Sequence, residues 1–270
     1  MDSIDLSILI PAFIAGLLVL ATHVPLGMTV LKRGIIFADL AVAQIAGLGV
    51  IIAGLLDLTG YPMAVQAIAA LSALLGAALL AYVERRLPEA QEAVIGLLFV
   101  LAATGGILLM SRDVHAGEHL KDLLVGQILW VSNSQLIVTG LITCVLLALL
   151  KVFNQRLAGI GFFALFAIAV TASVQLVGIY LVFASLIVPS LATLNLKQNR
   201  LLVAYLIGVA GYVLGLLVSM WFDLPAGAAI VWMMVIAGAP VLFRRKGSDT
   251  KPSEAKGNRN RRSQAPISLK

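Results

Sequence analysis

Charge is scarce in this sequence. Asp, Glu, Lys and Arg make up 12% of its 270 residues, about half the share of an ordinary soluble domain. So little charge excludes disorder for most of the chain. A soluble globule is excluded as well: 61% of the residues are hydrophobic, and a folded surface of that size must still be largely polar. Cysteine is nearly absent. Cys144 stands alone, so no internal disulfide framework exists, and its apolar surroundings predict a small buried side chain. Glycine, at 24 residues, is too sparse for a collagen-like chain, and no heptad is sustained. A Walker loop, a dinucleotide fingerprint and a nucleophile elbow are all missing. No enzyme is predicted, and a chain without a phosphate-binding loop does not hydrolyse a nucleotide itself. The N-terminal residues carry Asp2 and Asp5 and no basic residue, the reverse of a cleavable signal. The solvent this composition fits is a bilayer.

What the sequence has is long apolar runs. A spanning helix needs ~20 mostly apolar residues. Candidates are Ile8–Leu31, Phe37–Leu56, Met63–Tyr82, Ala93–Met110, Gln135–Leu150, Phe162–Leu194, Leu201–Trp221 and Ala226–Phe243. The sixth run is 33 residues long, too long for one crossing and short for two. Ser173, Gln175 and Gly178 lie near its middle, where a break is expected. The expectation is an all-α, polytopic membrane helix bundle over residues 1–243, with about nine crossings. Eight is the alternative, with the sixth run as one tilted helix. Broken helices at membrane depth are tolerated only inside protein or beside a cavity, so this break points toward a passage.

Basic residues give the orientation, because Lys and Arg are in excess on the cytoplasmic side. Lys32–Arg33, Arg85–Arg86, Lys151 with Arg156, and Lys197 with Arg200 form the basic loops. The N-terminus, Asp57–Pro62 and Phe222–Gly227 carry acids only. The N-terminus is therefore expected outside and the C-terminus in the cytoplasm. The net charge of +6 resides in the tail: residues 244–270 hold nine Lys/Arg against two acids. Residues 1–243 hold ten against eleven. The tail is expected to be disordered and attracted to anionic lipid headgroups. Nucleic acid is not an expected partner.

Ionisable residues inside apolar runs cost roughly 2.5–3.5 kcal/mol on insertion scales, so they face a partner or a cavity. Asp39 and His23 are two such residues, on successive helices around Lys32–Arg33, at similar depth by a rise of ~1.5 Å per residue. With the amide of Gln44 they could bind a divalent transition metal: imidazole suits zinc, and carboxylate suits manganese as well. The competing reading is a His–Asp hydrogen bond that only staples two helices. Pro25 and Gly27 would loosen the helix below His23. A second cluster, Asp113, His115, Glu118, His119 and Asp122, lies in the loop expected outside. His115 and His119 are spaced i, i+4, so a short helix would set two imidazoles on one face. With Glu118 they form an outer metal-capture candidate, against the alternative of a solvated acidic loop. Trp130 beyond them fits an interface anchor.

Three stretches carry a family resemblance. They are Pro25-Leu-Gly27 through Leu31-Lys-Arg-Gly34 to Phe37-Ala-Asp39; Ala93-Val-Ile-Gly96-Leu-Leu-Phe99 with Leu123-Leu-Val-Gly126-Gln-Ile-Leu129; and Val177-Gly178 through Leu186-Ile-Val-Pro189-Ser-Leu-Ala192-Thr193. In this order, over residues 8–243, the chain resembles the permease subunit of ATP-binding-cassette importers for zinc, manganese and iron. The resemblance implies a homodimeric pathway in a bacterial cytoplasmic membrane, an ATPase subunit on the inside and a metal-binding protein outside. No permanent cofactor is implied, only a transported zinc, manganese or iron ion. Asp39 would be the main ligand, with His23 and Gln44 supporting. Gln175, Gly178 and Pro189 would line the gate, and Arg156 and Gly159 would meet the ATPase. Two departures stand out. The family often has His four residues after this Asp, where Ala43 stands here, so His23 is inferred to replace it. The segment Lys151–Gly161, which in the family carries the ATPase contact, is short. Rival readings are a permease for iron chelates or cobalamin, a self-sufficient secondary carrier, and a membrane scaffold or exporter component.

Overall fold

The computed structural model describes residues 6–58, 60–111, 124–153 and 159–243. Among them are nine α-helices and no strand: α1 Leu6–Arg33, α2 Ala38–Leu55, α3 Pro62–Arg86, α4 Gln91–Leu109, α5 Asn133–Phe153, α6 Ile160–Val177, α7 Ile179–Ala192, α8 Arg200–Phe222 and α9 Ala226–Leu242. Seven are long and apolar enough to cross a membrane; α7 and α9 are shorter apolar helices of 14 and 17 residues. At 1.5 Å per residue α7 is only ~21 Å long, short of a ~30 Å hydrocarbon core. The basic tail after Phe243, the loop with His115, Glu118 and His119, and Arg156 lie outside the described residues.

The sixth apolar run divides at Gly178. Its backbone sits at φ 82°, ψ 163°, a region essentially closed to residues with a Cβ. The chain therefore ends α6 and starts α7 at one glycine. α6 is the most enclosed of the long helices; Phe163, Phe166, Ala167 and Val170 are fully buried. α3, α4 and α5 instead turn many large apolar side chains outward, among them Leu75, Leu101 and Leu141. Lipid tails are as apolar as leucine, so these faces need no protein cover. Cys144 belongs to this outward face of α5. The expected buried cysteine is therefore exposed, because in a bilayer an apolar run does not imply a protein interior.

Small residues set the helix contacts, as expected where packing rather than the hydrophobic effect joins helices. A Cβ on Gly211 would lie 2.7 Å from the Cα of Met234, so α8 and α9 touch backbone to backbone. Gly27 performs the same service between α1 and α7: a Cβ there would meet the Leu186 carbonyl. α1 runs unbroken through Pro11 and Pro25, so neither Pro25 nor Gly27 interrupts it. Pro25 has no N–H, which frees the carbonyl four residues back. That carbonyl, on Ala21, accepts from the Tyr205 hydroxyl at 3.0 Å. The defect in α1 thus becomes a tether to α8.

Candidate metal site

Asp39 stands in the first turn of α2, two residues after its N-cap, Phe37. It is 1% exposed. The positive end of a helix favours a carboxylate there, but the cap makes no side-chain hydrogen bond. Neither carboxylate oxygen has a hydrogen-bond partner. Buried carboxylates are ordinarily paired or ligated, so its lone pairs are free for a cation supplied from outside the chain.

His23 is fully buried in the middle of α1. Its Nδ1 lies 3.0 Å from the Val19 carbonyl and 3.0 Å from the Thr22 hydroxyl. A carbonyl can only accept, so Nδ1 carries the proton. In the neutral ring this leaves the lone pair on Nε2. Nε2 has no partner. His23 therefore presents an unpartnered Nε2 that could ligate a cation, held in one tautomer by its own helix.

No hydrogen bond joins His23 to Asp39, since Nε2 and both carboxylate oxygens are unpartnered. The hydrogen bond that the helix-staple reading calls for is not made. α1 packs chiefly on α7, α8 and α5, whereas α2 packs on α3, α4 and α6, and the two helices form no packed pair. The turn at Gly34–Phe37 sends the two successive helices to different partners. Among the described residues no three His, Cys, Asp or Glu side chains gather into a cluster.

Gln44 is only partly buried and lines a cavity of about 240 Å³ together with Leu48, Ile51, Phe99, Gly106 and Tyr180. It lies five residues after Asp39, roughly 140° around the helix. The cavity reaches the helix break, because Ile179 and Tyr180 also form its wall. Gln175, three residues before the break, is exposed, and Pro189 is buried within α7. Gly159 caps α6 at φ 59°, and a Cβ there would lie 3.0 Å from the Arg85 guanidinium. Reasoning from sequence missed this contact and also the pair Arg33–Glu84, with Nη1 3.1 Å from Oε1. The signal was visible, since both basic loops are adjacent to helix ends, but the partners are 51 residues apart.

Comparison with known proteins agrees with this fold. The ABC 3 transport family matches residues 5–162 and 156–244. The manganese transport system membrane protein MntC of Halalkalibacterium halodurans is 30% identical over 229 residues, covering 76% of each chain. A probable iron transport system membrane protein of Haemophilus influenzae is 26% identical over 197 residues, covering 64% of this chain and 71% of that one. The solved structure of PsaBC from Streptococcus pneumoniae in complex with Fab has a TM-score of 0.69 at 21% identity, covering 88% of this chain and 91% of that one. The nine apolar helices among the described residues and the family match across nearly all of them lead to one assignment: the protein belongs to the ABC 3 transport family, as a multi-pass membrane protein.

Proposed function

We propose that the chain is the translocating subunit of an ATP-driven importer for a divalent transition metal, with manganese the first choice over iron and zinc. It would work as a homodimer on two ATPase subunits, fed by a metal-binding protein outside. Asp39 is the main ligand; His23 and Gln44, which stand apart from it, would support it as further donors along the route rather than in one ligand set, the amide from the cavity wall beside the helix break. Met1 would face outside and the basic loops inside, following the excess of Lys and Arg there. The ATPase would meet the start of α6 around Arg156 and Gly159.

One observation carries the reading: a carboxylate enclosed among apolar helices with both oxygens unpartnered. A group in that state costs several kcal/mol unless a cation offsets it. A divalent ion in transit supplies that charge without a permanent ion pair. Carboxylate and amide oxygens suit manganese, while the Nε2 of His23 adds a donor that zinc and iron also accept. Two relatives named for manganese transport, 30% and 28% identical, support the same choice.

Asp39→Asn tests the site. It retains shape and removes the charge. Uptake per assembled complex should fall roughly a hundredfold, the scale of losing a buried charge partner. Folded yield should hold or rise, because an unpaired amide is cheaper to bury than an unpaired carboxylate. Parental uptake by Asp39→Asn, measured per assembled complex, would remove Asp39 from the pathway. His115 and His119 would then be the next residues to replace.

A further inference from the structure

We propose that Arg33 is a positioning residue that links the start of α6 to the turn holding Asp39. The proposal rests on the reading that the ATPase docks at the start of α6. Arg33 is the last residue of α1, and four residues, Gly34–Phe37, separate it from α2. Its guanidinium carbon lies 4.1 Å from the centroid of the Phe162 ring. Its Nη1 donates to Glu84 Oε1 on α3 at 3.1 Å. Phe162 is the third residue of α6, is buried, and stacks on Phe166 at 5.7 Å between centroids. Arg33 is therefore seated on an aromatic stack that belongs to the docking helix.

The same turn is gripped from its other side. The Phe37 N–H donates to Glu92 Oε1 of α4 at 3.1 Å. Within the turn, the Ile35 N–H donates to the Val30 carbonyl at 3.3 Å and the Ala38 N–H to the Ile35 carbonyl at 3.1 Å. Asp39 follows directly. The last turn of α3 touches both parts: Glu84 holds Arg33, and Arg85 lies against Gly159. A shift of Gly159 and Phe162 relative to α3 must either carry Arg33 with it or break the stack. While the stack holds, such a shift is passed through Arg33 to the α1–α2 turn and so to Asp39. Arginine suits this place better than lysine. Its flat guanidinium stacks on a ring face and still offers N–H groups to a carboxylate.

A merely structural Arg33, closing the C-terminal end of α1 as a cation does, would affect stability and leave coupling alone. The discriminating readout is therefore the ratio of manganese imported to ATP hydrolysed. It would be measured in proteoliposomes holding the full complex of this chain, its ATPase and its binding protein. Arg33→Gln should assemble and retain unstimulated ATP hydrolysis, with the import ratio about tenfold lower, within the range by which residues along a coupling route act. Phe162→Leu preserves apolar packing without the ring and should lower the ratio in the same direction. Arg33→Lys should fall between. Exchanging the pair, Arg33→Glu with Glu84→Arg, restores the ion pair but not the stack, and should remain uncoupled. A parental ratio in both Arg33→Gln and Phe162→Leu overturns the proposal. If Arg33→Gln does not assemble, the Phe162→Leu ratio alone decides it, in either direction. Absence of ATP-driven manganese uptake by the parental complex is a separate result. It would defeat the importer reading itself, and the relay with it.

Discussion

At one end of the helix bundle α1 and α3 finish while α2, α4 and α6 begin, and side chains make the contacts. Arg33 reaches Glu84 and lies over Phe162; Glu92 holds the Phe37 N–H; Arg85 lies against Gly159. At the other end α6 finishes while α7 and α9 begin, and backbone meets backbone. A Cβ on Gly178 would lie 2.6 Å from the Val125 carbonyl carbon and 2.7 Å from the Gly126 Cα. A Cβ on Gly227 would lie 2.7 Å from the Val125 carbonyl oxygen. The short segment Val125–Gly126 is thus wedged between the helix break and the start of α9. Long charged side chains can change rotamer and stay in contact as helices move. Touching backbones have no such slack. The basic end is therefore the adjustable one, and the glycine end moves only if whole segments move together.

The comparison can be broken most forcefully at Gly178. Gly178→Ala adds a methyl into backbone and forces a left-handed φ on a residue with a Cβ. Overpacking and strain together should cost about 3 kcal/mol or more, read as a large drop in thermal midpoint or in folded yield. Gly34→Ala sharpens the result. Gly34 has φ 71°, yet a Cβ there meets nothing within 4 Å. It should lose only the backbone strain, ~1 kcal/mol. Equal losses at the two glycines would show that conformation rather than contact governs both.

Glu84→Gln removes the charge from the Arg33 pair at the basic end. The side chains are 22% and 27% exposed, so the stability cost should be under ~1 kcal/mol, measured by thermal unfolding in detergent. A cost near that of Gly178→Ala would erase the distinction between the ends. The smallest effect is expected at Cys144 on the outward face of α5. Cys144→Ala should change stability by no more than ~0.5 kcal/mol, and the resulting cysteine-free chain provides the background for labelling the loops from either side of the membrane.

The helices themselves were legible because long apolar runs have few alternatives in a bilayer. The division of the sixth run was legible for a local reason too: Gly178 is the residue in its middle that can take φ 82°. Asp39 and His23 were found because an ionisable group in an apolar run costs free energy wherever the helix goes. Their relation to one another was not legible. Residues near a shared turn appear adjacent when two helices are imagined side by side, whereas α1 turns to α7 and α2 turns to α3 and α4. Cys144 was misread for a related cause, since hydropathy does not separate a lipid-facing surface from a protein interior.

By itself the sequence determined the apolar runs that become helices, a break near the middle of the sixth run and the isolated ionisable residues. Each follows from local cost: backbone groups in hydrocarbon must bond within their own helix, and a charge there is expensive at any rotation. Only the tertiary structure decided which helices touch and that the Asp39 carboxylate and the Nε2 of His23 are left buried without partners. It also decided that Arg33 lies on Phe162, a residue 129 positions further along the chain. Those choices depend on small residues meeting at close range across the bundle, such as Gly27 under the Leu186 carbonyl. Such complementarity belongs to pairs of distant segments, and no single segment encodes it.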